Sequence, residues 1–213
     1  MIYIKNIQSV LEQHQVYYGE NTKFKEHANR PLSSPTKEIL EDIFTDLEGI
    51  QFPSKIPLRA FAFENEDYAI VFNDESHFNR YRSITLRAPF YKQMKLFSYS
   101  NYLSQCRKYE RECLKAAAAP FKWHTKESEQ VFGTSEDAGD LGLKGSSMWK
   151  WTAFIDLYTD LLAHEADIKL LHLSIYDQLM IGGQLQPLHQ LLLNPKERER
   201  ELVFKYITRK LAL

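Results

Sequence analysis

Tyr68-Ala-Ile-Val-Phe-Asn-Asp-Glu-Ser-His-Phe-Asn-Arg-Tyr-Arg82 is the stretch around which the chain is organised. It opens as an apolar run, Tyr68 to Phe72, rich in aromatic and β-branched residues, which reads as a buried strand. It then turns polar: Asp74, Glu75 and His77 stand at the strand's C-terminal end, followed by Asn79, Arg80, Tyr81 and Arg82. Acids and an imidazole at the tip of a buried strand are a common way to build a metal or acid–base site. The two guanidinium groups behind them suit phosphates. The same residues also read as a solvated polar loop after a strand.

Upstream, Pro53 and Pro57 bracket an extended segment, and Leu58 to Phe63 reads as a second strand. Glu64-Asn-Glu-Asp67 is a tight polar turn, so residues 57–73 form a predicted hairpin. Ser34-Pro35 starts a helix, with Ser as N-cap and Pro at the first helical position. Ile39, Leu40, Ile43, Phe44 and Leu47 share one face of that helix, and Gly49 ends it. Glu38, in its first turn, either favours the helix N-terminus electrostatically or serves as a metal-facing carboxylate. Residues 5–17 form a short amphipathic helix, and 18–35 a loop.

Downstream, a helix is predicted from Ser100 to Ala119, stopping at Pro120, with a charged solvated face at Arg107-Lys-Tyr-Glu-Arg-Glu112. Residues 121–147 read as a long loop by composition, and the spacing of Gly139, Gly142 and Gly145 excludes a phosphate loop. Met148 to Leu162 is a helix with Trp151, Ile155, Tyr158 and Leu162 facing inward. Asp167 to Tyr176 is a nearly continuous apolar strand, central in a sheet, with His172 as a core residue. Gly182-Gly183 breaks the chain, Leu185 to Leu193 reads as a short apolar helix, and Asn194-Pro195 opens the last helix, 195–213.

The sequence has 213 residues, 44% hydrophobic and 26% charged, as suits one globular domain over 1–213. Formal net charge is −1, so any basic surface must be local. Cys106 and Cys113 lie about 10 Å apart if they share one helix, and with no further ligands at metal spacing they read as reduced thiols. No apolar run reaches membrane-spanning length and Met-Ile-Tyr-Ile-Lys5 lacks a signal pattern, so a cytoplasmic protein with no membrane association is expected. The fold class is α/β (α+β): a central mixed β-sheet, with the hairpin at 57–73 and a strand at 167–176, flanked by helices.

A Ser-Pro helix bearing Glu38, a hairpin, a strand ending in acids and then His77 resemble, over residues 34–82, the very-short-patch-repair branch of the PD-(D/E)XK nuclease-like superfamily. His77-Phe-Asn-Arg-Tyr-Arg82 with Thr85-Leu86, and later Ser128-Glu129, Phe132-Gly133, Gly139-Asp140-Leu141 and Trp149-Lys150, are similar to an uncharacterised bacterial family with such a core. The resemblance implies a restriction-endonuclease-like fold, with a nuclease-like core over 34–97 and 148–181, a helical and loop elaboration over 98–147, and the C-terminal helix 195–213.

It also implies a Mg²⁺-dependent endonuclease acting on DNA. Asp74 and Glu75 would hold the metal, Glu38 would support them and His77 would act as general acid or base. Arg80, Arg82 and Arg87 would hold phosphates. The chain departs from the pattern at two places. Ala60 precedes Phe61 where an aspartate is expected, and Val71 or Phe72 stands where the strand glutamate belongs. Mg²⁺ needs oxygen ligands that these residues lack. The alternative is therefore a catalytically inactive nuclease-like module that binds nucleic acid, a protein partner or a second copy of itself. A third reading is a structural protein in which Arg80 and Arg82 pair with Asp74 and Glu75.

Overall fold

The computed structural model describes residues 2–94 and 96–211. In chain order its helices and strands are α1 (Ile2–Gln13), α2 (Thr22–Ala28), α3 (Ser34–Asp46), β1 (Phe63–Glu64), β2 (Tyr68–Asn73), α4 (Arg80–Thr85), α5 (Tyr99–Lys108), α6 (Glu110–Ala117), α7 (Pro120–Trp123), α8 (Lys126–Phe132), α9 (Ser147–Glu165), β3 (Lys169–Ser174), β4 (Gln178–Ile181), β5 (Gln184–Pro187), α10 (Leu188–Leu193) and α11 (Glu197–Leu211). The class is mixed α+β, with small sheets and flanking helices. The last two positions of the expected 195–213 helix lie outside the described residues. Among the described residues no helix is long and apolar enough to cross a membrane.

Contacts divide the chain into two compact units. The first takes residues 2–29, 60–73 and 163–211 and holds both sheets. In the larger sheet β2 is central: antiparallel to β1, with Phe63 opposite Ile70, and parallel to β3, with Ile70 opposite Leu171. Every β2 residue is buried, as its apolar run requires. Asn73, the last of them, turns its amide to the Leu173 carbonyl at 3.4 Å. The helices α1 and α11 bury Ile7, Val10 and Leu11, and Val203, Tyr206 and Ile207, respectively. Two polar ties join elements far apart in sequence: Arg200 Nη1 donates to Ser9 Oγ at 2.8 Å, and Asn6 Nδ2 to the Leu192 carbonyl at 2.7 Å.

Two readings change here. Of the expected Leu58–Phe63 strand only Phe63 remains, joined by Glu64 from the expected turn, although Ala62 N–H still reaches the Ile70 carbonyl at 2.7 Å. Gly182 and Gly183, at φ 57° and 82°, form the two-residue turn of a second hairpin, β4–β5. Two left-handed residues match the twist of paired strands, which is why Gly-Gly marks such a turn.

The second unit, residues 30–59 and 74–162, has only helices as regular structure among its described residues. The α3 N-cap is Ser33, one residue earlier than expected, its hydroxyl accepting from Thr36 N–H. The expected 100–119 helix breaks at Tyr109 into α5 and α6, and two short helices, α7 and α8, replace part of the expected 121–147 loop. A Thr125–Ser128 capping box starts α8. Phe44, Phe52, Phe132 and Phe154 pack ring to ring, with centroids 5.1–6.2 Å apart. Ser146 Oγ caps α9 by accepting from Trp149 N–H at 3.1 Å.

A candidate acid–histidine cluster

After β2 the chain makes a 3₁₀ turn, Glu75–His77, capped by Asp74. Asp74 Oδ1 accepts from Ser76 N–H at 3.0 Å and from the Ser76 hydroxyl at 2.5 Å. Asn79 then caps α4, its Oδ1 accepting from Tyr81 and Arg82 N–H, both at 3.1 Å, while its amide donates to the Ser76 carbonyl at 3.0 Å. The buried thiols of Cys106 and Cys113 lie against the turn's carbonyls, and burial pushes them up to about 11 and about 12. This scaffold fixes where His77 and Arg82 project.

The imidazole of His77 stands between two partners. Its Nδ1 is 3.0 Å from Asp156 Oδ2, and its Nε2 is 3.1 Å from Arg59 Nη2. A guanidinium can only donate, so Nε2 must accept and Nδ1 carries the proton that goes to Asp156. Asp74 Oδ1 lies 3.9 Å from the same Nε2. Arg59 reaches the cluster because its backbone N–H donates to Thr159 Oγ1 at 3.0 Å, tying residue 59 to α9 rather than to a strand. Arg59 Nη1 also lies 3.1 Å from Asp156 Oδ1. That is close enough for an ion pair but off the hydrogen-bond direction, so among the described residues Oδ1 has no hydrogen bond.

One turn further along α9, Asp160 Oδ2 accepts from Arg82 Nη2 at 2.7 Å and from the Tyr91 hydroxyl at 2.6 Å. Arg82, 1% exposed, also donates through Nη1 to Thr85 and Tyr91. Burial works against its charge, yet Tyr91, Asp160 and Asp156 keep the guanidinium protonated well above its ordinary range.

The residues singled out from sequence separate into groups. Asp74 and His77 come together. Glu75 shares their turn, and its carboxylate has no hydrogen bond or ion pair among the described residues. Glu38 is exposed on α3, and among the described residues it makes no hydrogen bond or ion pair with Asp74, Glu75 or His77. Arg80 is a surface residue clamped by Glu110, with Nε and Nη2 at 2.9 and 3.0 Å from its two oxygens. Arg82 is buried against Asp160, so neither arginine pairs with Asp74 or Glu75. Arg87 is exposed. Arg59, Asp156, Asp160 and Tyr91 were not singled out. The available signal was two aspartates four residues apart in a helix otherwise apolar on that face.

As a Mg²⁺ site this donor set fits poorly. Mg²⁺ requires several oxygens in near-octahedral array. Asp74 spends Oδ1 on Ser76, and Asp156 faces two guanidinium groups and an imidazole. Among the described residues no group of three or more His, Cys, Asp or Glu side chains could hold a metal ion. Nor does His77 have a vacant lone pair with which to take a proton, because Arg59 occupies it. What the arrangement does chemically is neutralise buried charge.

Burial opposes ionisation of Asp74, but the hydrogen bonds from Ser76 and the nearby Arg59 guanidinium outweigh it and hold the carboxyl below its ordinary value. In Asp156 burial likewise opposes ionisation, and Arg59, His77 and Arg82 outweigh it. A carboxyl with a lower pKa folded than unfolded binds fewer protons when folded. Its stabilising contribution is complete above the unfolded value, about 3.9 for Asp, and is lost as pH falls through the folded value. The urea midpoint of Asp74→Asn should therefore lie below that of the parent at pH 6, with the gap closing as pH falls toward 2. A gap that stays constant over this range would contradict the assignment.

A search of curated proteins finds no match, and neither does a search of solved structures. One family model matches residues 42–194, well over half of the chain. The match takes in Arg59, Asp74, His77, Arg82, Asp156 and Asp160 and leaves out Glu38 and α11. On that match the chain belongs to the family described as "Family of unknown function (DUF7255)".

Proposed function

We propose that this chain is a nuclease-like module, with a restriction-endonuclease-like core and a cytoplasmic location, that binds nucleic acid without cutting it. The observation that supports binding is the distribution of charge. Residues 80–126 contain eleven Arg and Lys against two Glu, a net +9, in a chain whose total is −1. Arg80, Arg87, Lys92, Arg107, Lys108, Arg111, Lys115, Lys122 and Lys126 are all exposed. Of the two acids, Glu110 is held by Arg80. Nine exposed cations at this density attract a phosphate backbone, which supplies most of the affinity in sequence-independent binding. What supports the absence of cutting is the acid–histidine cluster, whose acids are engaged by Arg59, Arg82 and His77.

Fluorescence anisotropy with labelled single- and double-stranded DNA tests this reading. Saturable binding should weaken steeply between 50 and 200 mM salt, by about a thousandfold if roughly six phosphates are contacted. Absence of binding at 50 mM, or an affinity indifferent to salt, would remove it.

A further inference from the structure

We propose that a groove in the helical unit, with Lys150 at its floor and Glu48 at its mouth, binds a small amphipathic carboxylate. Two adjoining cavities, of about 130 and 540 Å³, share Glu48, Leu143 and Lys150 as walls. The larger is also lined by Ile50, Phe132, Lys144 and Glu136, whose Oε1 accepts from the Lys144 N–H. The Lys150 side chain is 3% exposed, yet the carboxylate that faces it, Glu48 at 2.8 Å, is 69% exposed. Burial of an ammonium is costly without close partners. Lys150 has three donors. Among the described residues Glu48 takes one, and the Tyr81 ring lies 5.5 Å away on another side.

Glu48 is held in an unfavourable backbone. Its φ is 59°, a left-handed conformation uncommon outside glycine. The next residue, Gly49, has no room for a Cβ against the Phe44 ring, so the turn is fixed in place. The groove thus already accommodates one carboxylate over Lys150, supplied by a solvent-facing side chain. A ligand carboxylate would take that position and release Glu48 to water. Beside it, Leu143 is 94% exposed and Ile50 69% exposed, and with Phe132 they offer an apolar wall to a short hydrocarbon tail. The volume suits a ligand of that size.

The test is a titration of the full-length chain with hexanoate, hexan-1-ol and hexylammonium, read from the methyl NMR signals of Ile50 and Leu143. Hexanoate should shift both saturably, and hexan-1-ol and hexylammonium should bind at least about tenfold more weakly, as loss of a charge-assisted hydrogen bond implies. Glu48→Gln removes the resident competitor and should tighten hexanoate about threefold or more, while Lys150→Met should weaken it at least about tenfold. If Lys150→Met does not fold, the Glu48→Gln protein and the head-group series decide. Equal response to the three probes, no saturable shift with hexanoate, or unchanged affinity in Glu48→Gln overturns the proposal.

Discussion

Asp156→Ala should lower folding stability by about 3–5 kcal/mol, the range for breaking a buried charge cluster by removing one partner. Asp156 is 2% exposed and lies 3.1 Å from Arg59, 3.8 Å from Arg82 and 3.0 Å from His77. With the carboxylate gone, two guanidinium groups remain in the interior with one acid fewer to offset them, and Asp160 still faces Arg82. The effect comes mainly from that uncompensated charge and less from the contact itself. Asp156→Asn retains an acceptor and the shape, so it should cost less than alanine. Thermal melting reads the difference: for a chain of this size about 1 kcal/mol moves the midpoint by roughly 2–4 °C, so alanine should lower it by about 6 °C or more. A midpoint within 1 °C of the parent would show that the cluster does not hold this unit together.

Reversing three exposed charges, Arg107→Glu, Arg111→Glu and Lys115→Glu together, should reduce DNA affinity at 50 mM salt by about a hundredfold or more. Each lost phosphate contact lowers the slope of log K against log salt by about 0.7 on single strands and 0.9 on duplex, so the slope should fall by about 2–3. None of these side chains is buried, and substitutions at such sites usually change stability by less than about 0.5 kcal/mol each. Melting therefore serves as the control. A triple variant that folds normally and binds DNA as well as the parent would place the nucleic-acid surface elsewhere.

Some of this was legible in the sequence. An unbroken apolar run reads as a strand buried on both faces, and β2 is that; the long apolar segment at 167–176 supplied its parallel neighbour, β3. Asp74 and His77 were visible as a pair because they are three residues apart on one turn. The rest of the cluster was not, since Arg59 and Asp156 come from positions 18 and 79 residues away from His77. No local pattern encodes such a meeting.

The two arginines of Arg-Tyr-Arg are a different case. On a helix, positions 80 and 82 are about 200° apart and face opposite ways. Once residues 80–85 are known to be helical, one arginine is expected to face in and one out. Arg82 is buried and Arg80 exposed, so only the latter remains available to phosphates. The basic character of 80–126 was hidden by a whole-chain charge near zero, because the remaining residues carry −10. The first hairpin strand was overestimated for a further reason: residue 59 gives its N–H to Thr159 instead of to a ladder.

Supercoiled plasmid incubated with the pure chain in Mg²⁺ or Mn²⁺, then run on a native gel in paired lanes with the protein kept or removed, reports both binding and cutting. If Asp74 and Asp156 are committed to Arg59, His77 and Arg82, the plasmid should be retarded and remain supercoiled after the protein is stripped away. Nicked or linear plasmid, produced by the parent and absent with Asp74→Asn, would contradict that commitment and restore a metal-dependent nuclease.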